Sequence, residues 1–122
     1  MGNAAETFNK YLDAFSQSRA DEWQRLIADD FVFVGPLLQS EGKPAFLEGA
    51  AQLCPVVRGY KMLRQWEDGD TVCSIFDFQI ETPVGSGAVT MADWTTVRDG
   101  KMVASRVLFN GPDFAALMPT AG

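Results

Sequence analysis

The stretch TVCSIFDFQIETPVGSGAVTMADWTTVRDG, residues 71–100, decides the architecture. From Val72 to Thr82 the side chains alternate: Val72, Phe76, Phe78 and Ile80 share one parity, and Cys73, Ile75, Asp77, Gln79 and Glu81 the other. Successive side chains of a strand point to opposite faces, so the phenylalanine set forms the face that is buried. Pro83-Val84-Gly85-Ser86-Gly87 turns the chain and Ala88 to Arg98 returns it. A two-residue turn at Val84-Gly85 pairs Pro83 with Ser86 and therefore Phe76 with Asp93. Residues directly opposite share a face, which puts Val89, Met91, Asp93, Thr95 and Val97 beside the phenylalanines.

The same period extends outward. Asp99-Gly100 is a second hairpin signal and leads into Met102 to Asn110. Upstream, Val56 to Trp66 alternates loosely, with Val56, Tyr60, Met62 and Trp66 of one parity, and Glu67-Asp68-Gly69-Asp70 turns it into the first strand of the quoted stretch. Before residue 56 the period changes. Phe8, Tyr11, Leu12 and Phe15 have the spacing of one helical face. Ser18, with Asp21 three residues on, resembles a capping box for a short second helix carrying Trp23, Leu26 and Ile27. Phe31-Val32-Phe33-Val34 is a strand ended by Gly35-Pro36. A third helix starts near Pro44, carries Phe46, Leu47, Ala50 and Leu53, and stops before Pro55. Gly111-Pro112-Asp113 opens a tail whose Phe114, Leu117 and Met118 pack back on the body. Helices followed by strands predict an α+β fold over residues 1–122, a single domain with a strongly curved antiparallel sheet covered on one face by three helices.

Composition removes whole function classes. The 122 residues contain no histidine, which excludes His general bases, His triads and His-ligated metals. Ten Lys plus Arg against sixteen Asp plus Glu give a net charge of −6, so no basic footprint exists for nucleic acid or for an anionic membrane. No apolar run is long enough to span a bilayer. The first residues lack a basic start and an apolar core, so they do not read as a signal peptide, and the myristoylation reading of Gly2 fails because Glu6 and Thr7 stand where a hydroxyl residue is wanted. Cys54 and Cys73 are too few for a disulfide scaffold and read as small apolar residues of a reduced, cytoplasmic protein. Gly85-Ser86-Gly87 is no phosphate loop, since neither a helix nor a lysine follows it. Neither a metal nor a cofactor is expected.

The order of elements, with Ala28-Asp29-Asp30-Phe31 before the first strand, Gly42-Lys43 opening the third helix and Asp99-Gly100-Lys101-Met102 in the last hairpin, resembles the nuclear transport factor 2-like superfamily, and within it the SnoaL-like and ketosteroid-isomerase-like branches. The resemblance covers nearly the whole chain. It implies a cone-shaped half-barrel around an apolar pocket, with Ser105, Val107 and Phe109 inward and Arg106 and Leu108 outward. Phe15, Trp23, Phe31, Phe33, Gly35, Phe46, Tyr60, Met62, Phe76, Phe78, Met91, Val107 and Phe109 are then expected to line the pocket. Aligned on Ala28-Asp29-Asp30, Tyr11 falls where ketosteroid isomerases carry an oxyanion-hole tyrosine. Aligned on the Asp99-Gly100 hairpin with a one-residue gap, Asp93 falls on their protonated oxyanion-hole aspartic acid. The sequence also departs from relatives. The carboxylate base of those isomerases is replaced by Gly35 before Pro36, and the tyrosines supporting the oxyanion hole by Ile27 and Ala50. The last-strand aspartate of the superfamily's epoxide hydrolases matches Val107, and its scytalone-type dehydratases need a histidine.

Asp93 among Phe76, Phe78 and Met91 is a carboxyl in an apolar environment, where burial raises the pKa and suits it to acid/base work. The reading that follows is a small-molecule-binding protein with an apolar pocket. Its chemistry is of cyclase, isomerase or lyase type, driven by proton transfer at Asp93, with Tyr11 orienting a substrate carbonyl. The alternative is a non-catalytic ligand-binding or interaction module in which both are satisfied polar groups; a structural subunit of a larger enzyme is a third class. The ligand is apolar, cyclic or aromatic. Arg58 and Arg64 share parity with Tyr60 and Met62 and are candidates for the pocket rim. Cys73, Ile75, Ala92, Trp94 and Leu108 make the outer sheet face apolar and point to a homodimer through it.

Overall fold

The computed structural model describes residues 3–117. Helix α1 spans Ala4–Ser16 and α2 Ala20–Arg25; strands β1 (Ile27–Val34) and β2 (Gln39–Glu41) follow, then helix α3 (Lys43–Leu53) and a single turn at Cys54–Val56. Strands β3 (Val57–Asp68), β4 (Thr71–Thr82), β5 (Gly85–Arg98) and β6 (Lys101–Phe109) come next, and α4 (Gly111–Leu117) ends the described chain. The strands form one curved, unclosed sheet in the order β2-β1-β6-β5-β4-β3. The fold is α+β. Every neighbouring pair is antiparallel except β1 and β6, which run parallel and are joined by a long crossover through β2, α3, β3, β4 and β5.

Local chemistry accounts for most boundaries. On α1, the residues Phe8, Tyr11, Leu12 and Phe15 are all buried, and the stripe they form lies over the concave side of the sheet. Pro44 occupies the first turn of α3, where its missing N–H costs nothing. Gly69 (φ +62°) and Gly100 (φ +74°) take the left-handed turn positions that side chains resist. Among the described residues, no helix is long and apolar enough to cross a membrane.

Several expectations are corrected. The β4–β5 turn is Pro83-Val84, with Thr82 opposite Gly85, so Phe76 faces Met91 and Asp93 faces Ser74. The register thus differs by two residues from a Val84-Gly85 turn; two is the side-chain period, and the faces are unchanged. The capping box at Ser18 does not form: Ser18 is left-handed (φ 57°), and Arg19 caps α2 without a side-chain bond. Ile27 belongs to β1 rather than to a helix, and β2 is a further short strand. In β3, irregularities between Val57 and Gly59 and between Met62 and Arg64 each insert one residue against β4. Each insertion reverses parity, so Val57, Tyr60 and Gln65 point inward while Arg64 and Trp66 point outward. Arg64 stacks over the Trp66 ring at 5.2 Å. Arg58 donates to the Pro55 carbonyl and lies 3.9 Å from Glu81. Neither arginine reaches the pocket rim. Helix α4 is a fourth helix; its Phe114 packs on Phe109 at 5.1 Å, while Met118 and Gly2 lie outside the described residues.

Candidate functional site

A cavity of about 330 Å³ opens where the concave face of the sheet meets α1 and α3. Tyr11, Leu12 and Phe15 of α1 form one wall, and Phe46, Gly49, Ala50, Gln52 and Leu53 of α3 the opposite one. The floor is sheet: Phe33, Phe76, Phe78, Met91, Asp93, Val107 and Phe109. Gly35, Leu37 and Leu38 from the loop after β1, with Phe114 of α4, edge the mouth. Gly49 is small for a reason: a Cβ there would lie 2.7 Å from the Leu38 side chain, so glycine lets the β1 loop close against α3. At Gly35 a Cβ would lie 3.1 Å from the Phe33 ring, and no carboxylate stands on that wall.

Four residues expected in the lining sit elsewhere. Trp23 is buried behind the wall, edge-on to Phe15 (5.1 Å) and Tyr11 (6.1 Å). Phe31 is sealed in the core beneath Phe46, at 4.8 Å. Tyr60 and Met62 face the right side of the sheet, but α1 lies across β3 and separates them from the cavity. The Tyr60 hydroxyl instead donates to Asp13 Oδ1 of α1 at 2.6 Å. Burial and this bond, which favours the protonated phenol, push its pKa up to about 12. The converse omissions are Leu12, Leu37, Leu38, Gly49, Ala50, Gln52, Leu53 and Phe114. Helical periodicity marks Leu12, Ala50 and Leu53 as inward; nothing local marks the loop leucines or Gln52.

The electrostatics are simple. Asp93 is the one charged side chain in the wall, and no Lys or Arg balances it. It is 7 % exposed, and desolvation pushes its pKa up to about 7, against a smaller lowering by the hydrogen bond from Thr95. Thr95 Oγ1 donates to Asp93 Oδ1 and lies 2.6 Å from Ser105 Oγ. Tyr11 Oη receives and donates no hydrogen bond among the described residues. It is also absent from the sealed, unpartnered polar atoms, which are Trp23 Nε1 and Ser40 Oγ, so it opens on the cavity. Burial first, then the Asp93 charge and the Cys54 thiol, drive the Tyr11 pKa upward, so the phenol keeps its proton across the physiological range. Cys54 donates to the Phe15 carbonyl at 3.4 Å, and burial raises its thiol pKa, which makes it a poor nucleophile. The cavity thus offers a permanent donor and a carboxyl poised near neutrality in an apolar chamber.

The model of the SnoaL-like domain matches residues 8–105. The chain belongs to the SnoaL-like family. None of the curated proteins matches it. Among solved structures, the SnoaL-like chain is similar to a Kribbella flavida protein at 24% identity and a TM-score of 0.81, covering 93% of this chain and 92% of that one. It is similar to an LEH-like epoxide hydrolase of M. tuberculosis at 19% identity and a TM-score of 0.78, with 93% and 88% covered. It is also similar to TerC, crystallised with polyporic acid, at 18% identity and a TM-score of 0.78, with 95% and 98% covered. These likenesses establish the nuclear transport factor 2-like fold of this SnoaL-like chain.

Proposed function

We propose that the protein binds a neutral, apolar cyclic or aromatic molecule and catalyses proton transfer on it, in a reaction of isomerase or cyclase type. One observation carries this reading: a lone buried carboxyl and an unpartnered phenol share one cavity whose wall is otherwise apolar but for Gln52. The ionised Asp93 takes a proton from a carbon next to a substrate carbonyl, and Tyr11 donates a hydrogen bond to that carbonyl oxygen as negative charge develops there. The neutral Asp93 then returns the proton, either to another carbon of the same system or to the oxyanion left when the enolate closes a ring. No proton is gained or lost over the cycle. The absence of any cation in the wall disfavours anionic ligands, and the cavity volume, at the low end for small-molecule sites, suits a bicyclic better than a tetracyclic skeleton. An LEH-like epoxide hydrolase and a protein crystallised with polyporic acid share the fold.

The test needs no known substrate. The protein is incubated in deuterated water with β-tetralone, and deuterium uptake at the carbons beside the carbonyl is followed by NMR. Uptake above the buffer rate that Asp93→Asn abolishes is the expected result. Uptake equal in both proteins refutes the assignment and leaves the binding-module reading. We further propose a homodimer through the outer sheet face, where Trp94 and Leu108 are 58% and 65% exposed, and a reducing, cytoplasmic setting that keeps both thiols free.

A further inference from the structure

Thr95 and Ser105 do not line the cavity, yet Thr95 is hydrogen-bonded to the carboxyl on which the proposed chemistry depends, and Ser105 to Thr95. Thr95 lies two residues after Asp93 in β5, hence on the same face, and Ser105 of β6 stands directly opposite Thr95. Both are buried on a strand face whose other members are mostly apolar. A hydroxyl carries a single proton. With the Thr95 proton committed to Asp93 Oδ1, the 2.6 Å contact between the two hydroxyls is a hydrogen bond only if Ser105 donates. The chain therefore has a direction, from Ser105 through Thr95 to Oδ1. The other oxygen, Oδ2, receives no hydrogen bond from any described residue, and it is not among the sealed unpartnered atoms. The two oxygens of one carboxyl are thus held in different circumstances, one tied to the sheet and one left to the cavity.

We propose, on the basis of the proton-transfer reading above, that Thr95, oriented by Ser105, is a positioning residue that keeps Oδ1 as a standing acceptor and makes Oδ2 the oxygen that exchanges protons with the substrate. The neutral acid then carries its proton on Oδ2. When Oδ2–H gives that proton to the substrate, the carboxylate left behind already has a donor in place, and no side chain reorganises. When Oδ2 takes a proton back, the neutral acid is restored and the hydroxyl chain is unchanged. The groups around Asp93 are Tyr11 from α1, Ser74 opposite it on β4, which accepts from Gln65, and Val107 opposite it on β6. Of these and the rest of the cavity wall, only Tyr11 is also titratable, and its proton stays on.

The titration of Asp93 tests the assignment directly. Aspartate carboxyls are isotope-labelled and followed by NMR, with Asp93→Asn identifying the resonance. The wild type is expected to titrate near pH 7. Thr95→Val, which keeps the side-chain shape and removes the donor, raises the midpoint by about one pH unit, and slows deuterium uptake into β-tetralone by about tenfold. Thr95→Ser restores both. Ser105→Ala moves the midpoint the same way by less, and it carries the test if Thr95→Val fails to fold. A merely structural pair would lower stability in these variants and leave the midpoint where it was. A folded Thr95→Val or Ser105→Ala protein with an unmoved midpoint overturns the positioning role while the proton-transfer reading stands. A wild-type midpoint near pH 4 overturns that reading, and the positioning role with it.

Discussion

Asp93 and Trp94 are adjacent in β5 and point to opposite faces of the sheet; the carboxyl is 7% exposed and the indole 58%. Burial statistics would have them the other way round. Their surroundings differ as sharply. Asp93 shares the cavity wall with Met91, Phe76 and Tyr11. Trp94 lies in a row across the outer face, opposite Cys73 on one side and Arg106 on the other, with Trp66 beyond Cys73. Inside, a buried carboxyl without a cation costs stability, and outside, an exposed indole offers an apolar surface to a partner.

Removing the inner member is expected to have the largest effect. Asp93→Asn should cut deuterium uptake into β-tetralone by about a thousandfold, within the range of general acid–base catalysis, as read by NMR. The same variant should be more stable than the wild type above pH 7. The pKa of Asp93 is raised on folding, so between about pH 4 and 7 the native state holds more protons than the unfolded chain, and stability falls as pH rises through that window. Denaturant unfolding across that range should show the wild type losing on the order of 3–4 kcal/mol and Asp93→Asn losing none of it. A flat wild-type profile would show that Asp93 is not desolvated.

Tyr11→Phe probes the donor alone. It should slow the exchange by about a hundredfold, the cost of one oxyanion donor, with the fold intact because the ring contacts to Phe8, Phe15 and Trp23 remain. The outer member gives the smallest effect on the fold. Trp94→Glu should change unfolding free energy by less than about 0.5 kcal/mol, yet sedimentation should find it monomeric where the wild type is dimeric. If both proteins sediment as monomers, the exposed indole needs another explanation and the comparison across β5 loses its outer half.

How much of this was legible in the chain follows from the range of each signal. The face on which Asp93 lies comes from alternation within β4 and β5, a local property, and it survives a turn placed two residues away because the shift equals the side-chain period. The parity of β3 does not survive, since the insertions at Arg58 and Leu63 are set by pairing with β4 and leave no mark in the strand's own residues. Trp23, Phe31, Tyr60 and Met62 are apolar or amphipathic in the same way as the residues that wall the cavity. What separates them is the path of α1 across β3 and the edge-on packing of Phe46 against Phe31.

The chain by itself therefore determined the three leading helices, the five long strands and the inward set of β4 and β5, but not β2 or α4, because periodicity, turn chemistry and composition act over a few residues. The missing histidine narrowed the chemistry in the same direct way, whereas Gly35 did so only through the resemblance to ketosteroid isomerases. Tertiary structure alone decided the parallel β1–β6 pairing, the size and edge of the cavity, and the isolation of Tyr11 beside Asp93. It also decided the hydrogen bond that links Ser105 to Thr95 across two strands. These depend on which distant segments come into contact, and no short-range pattern encodes that.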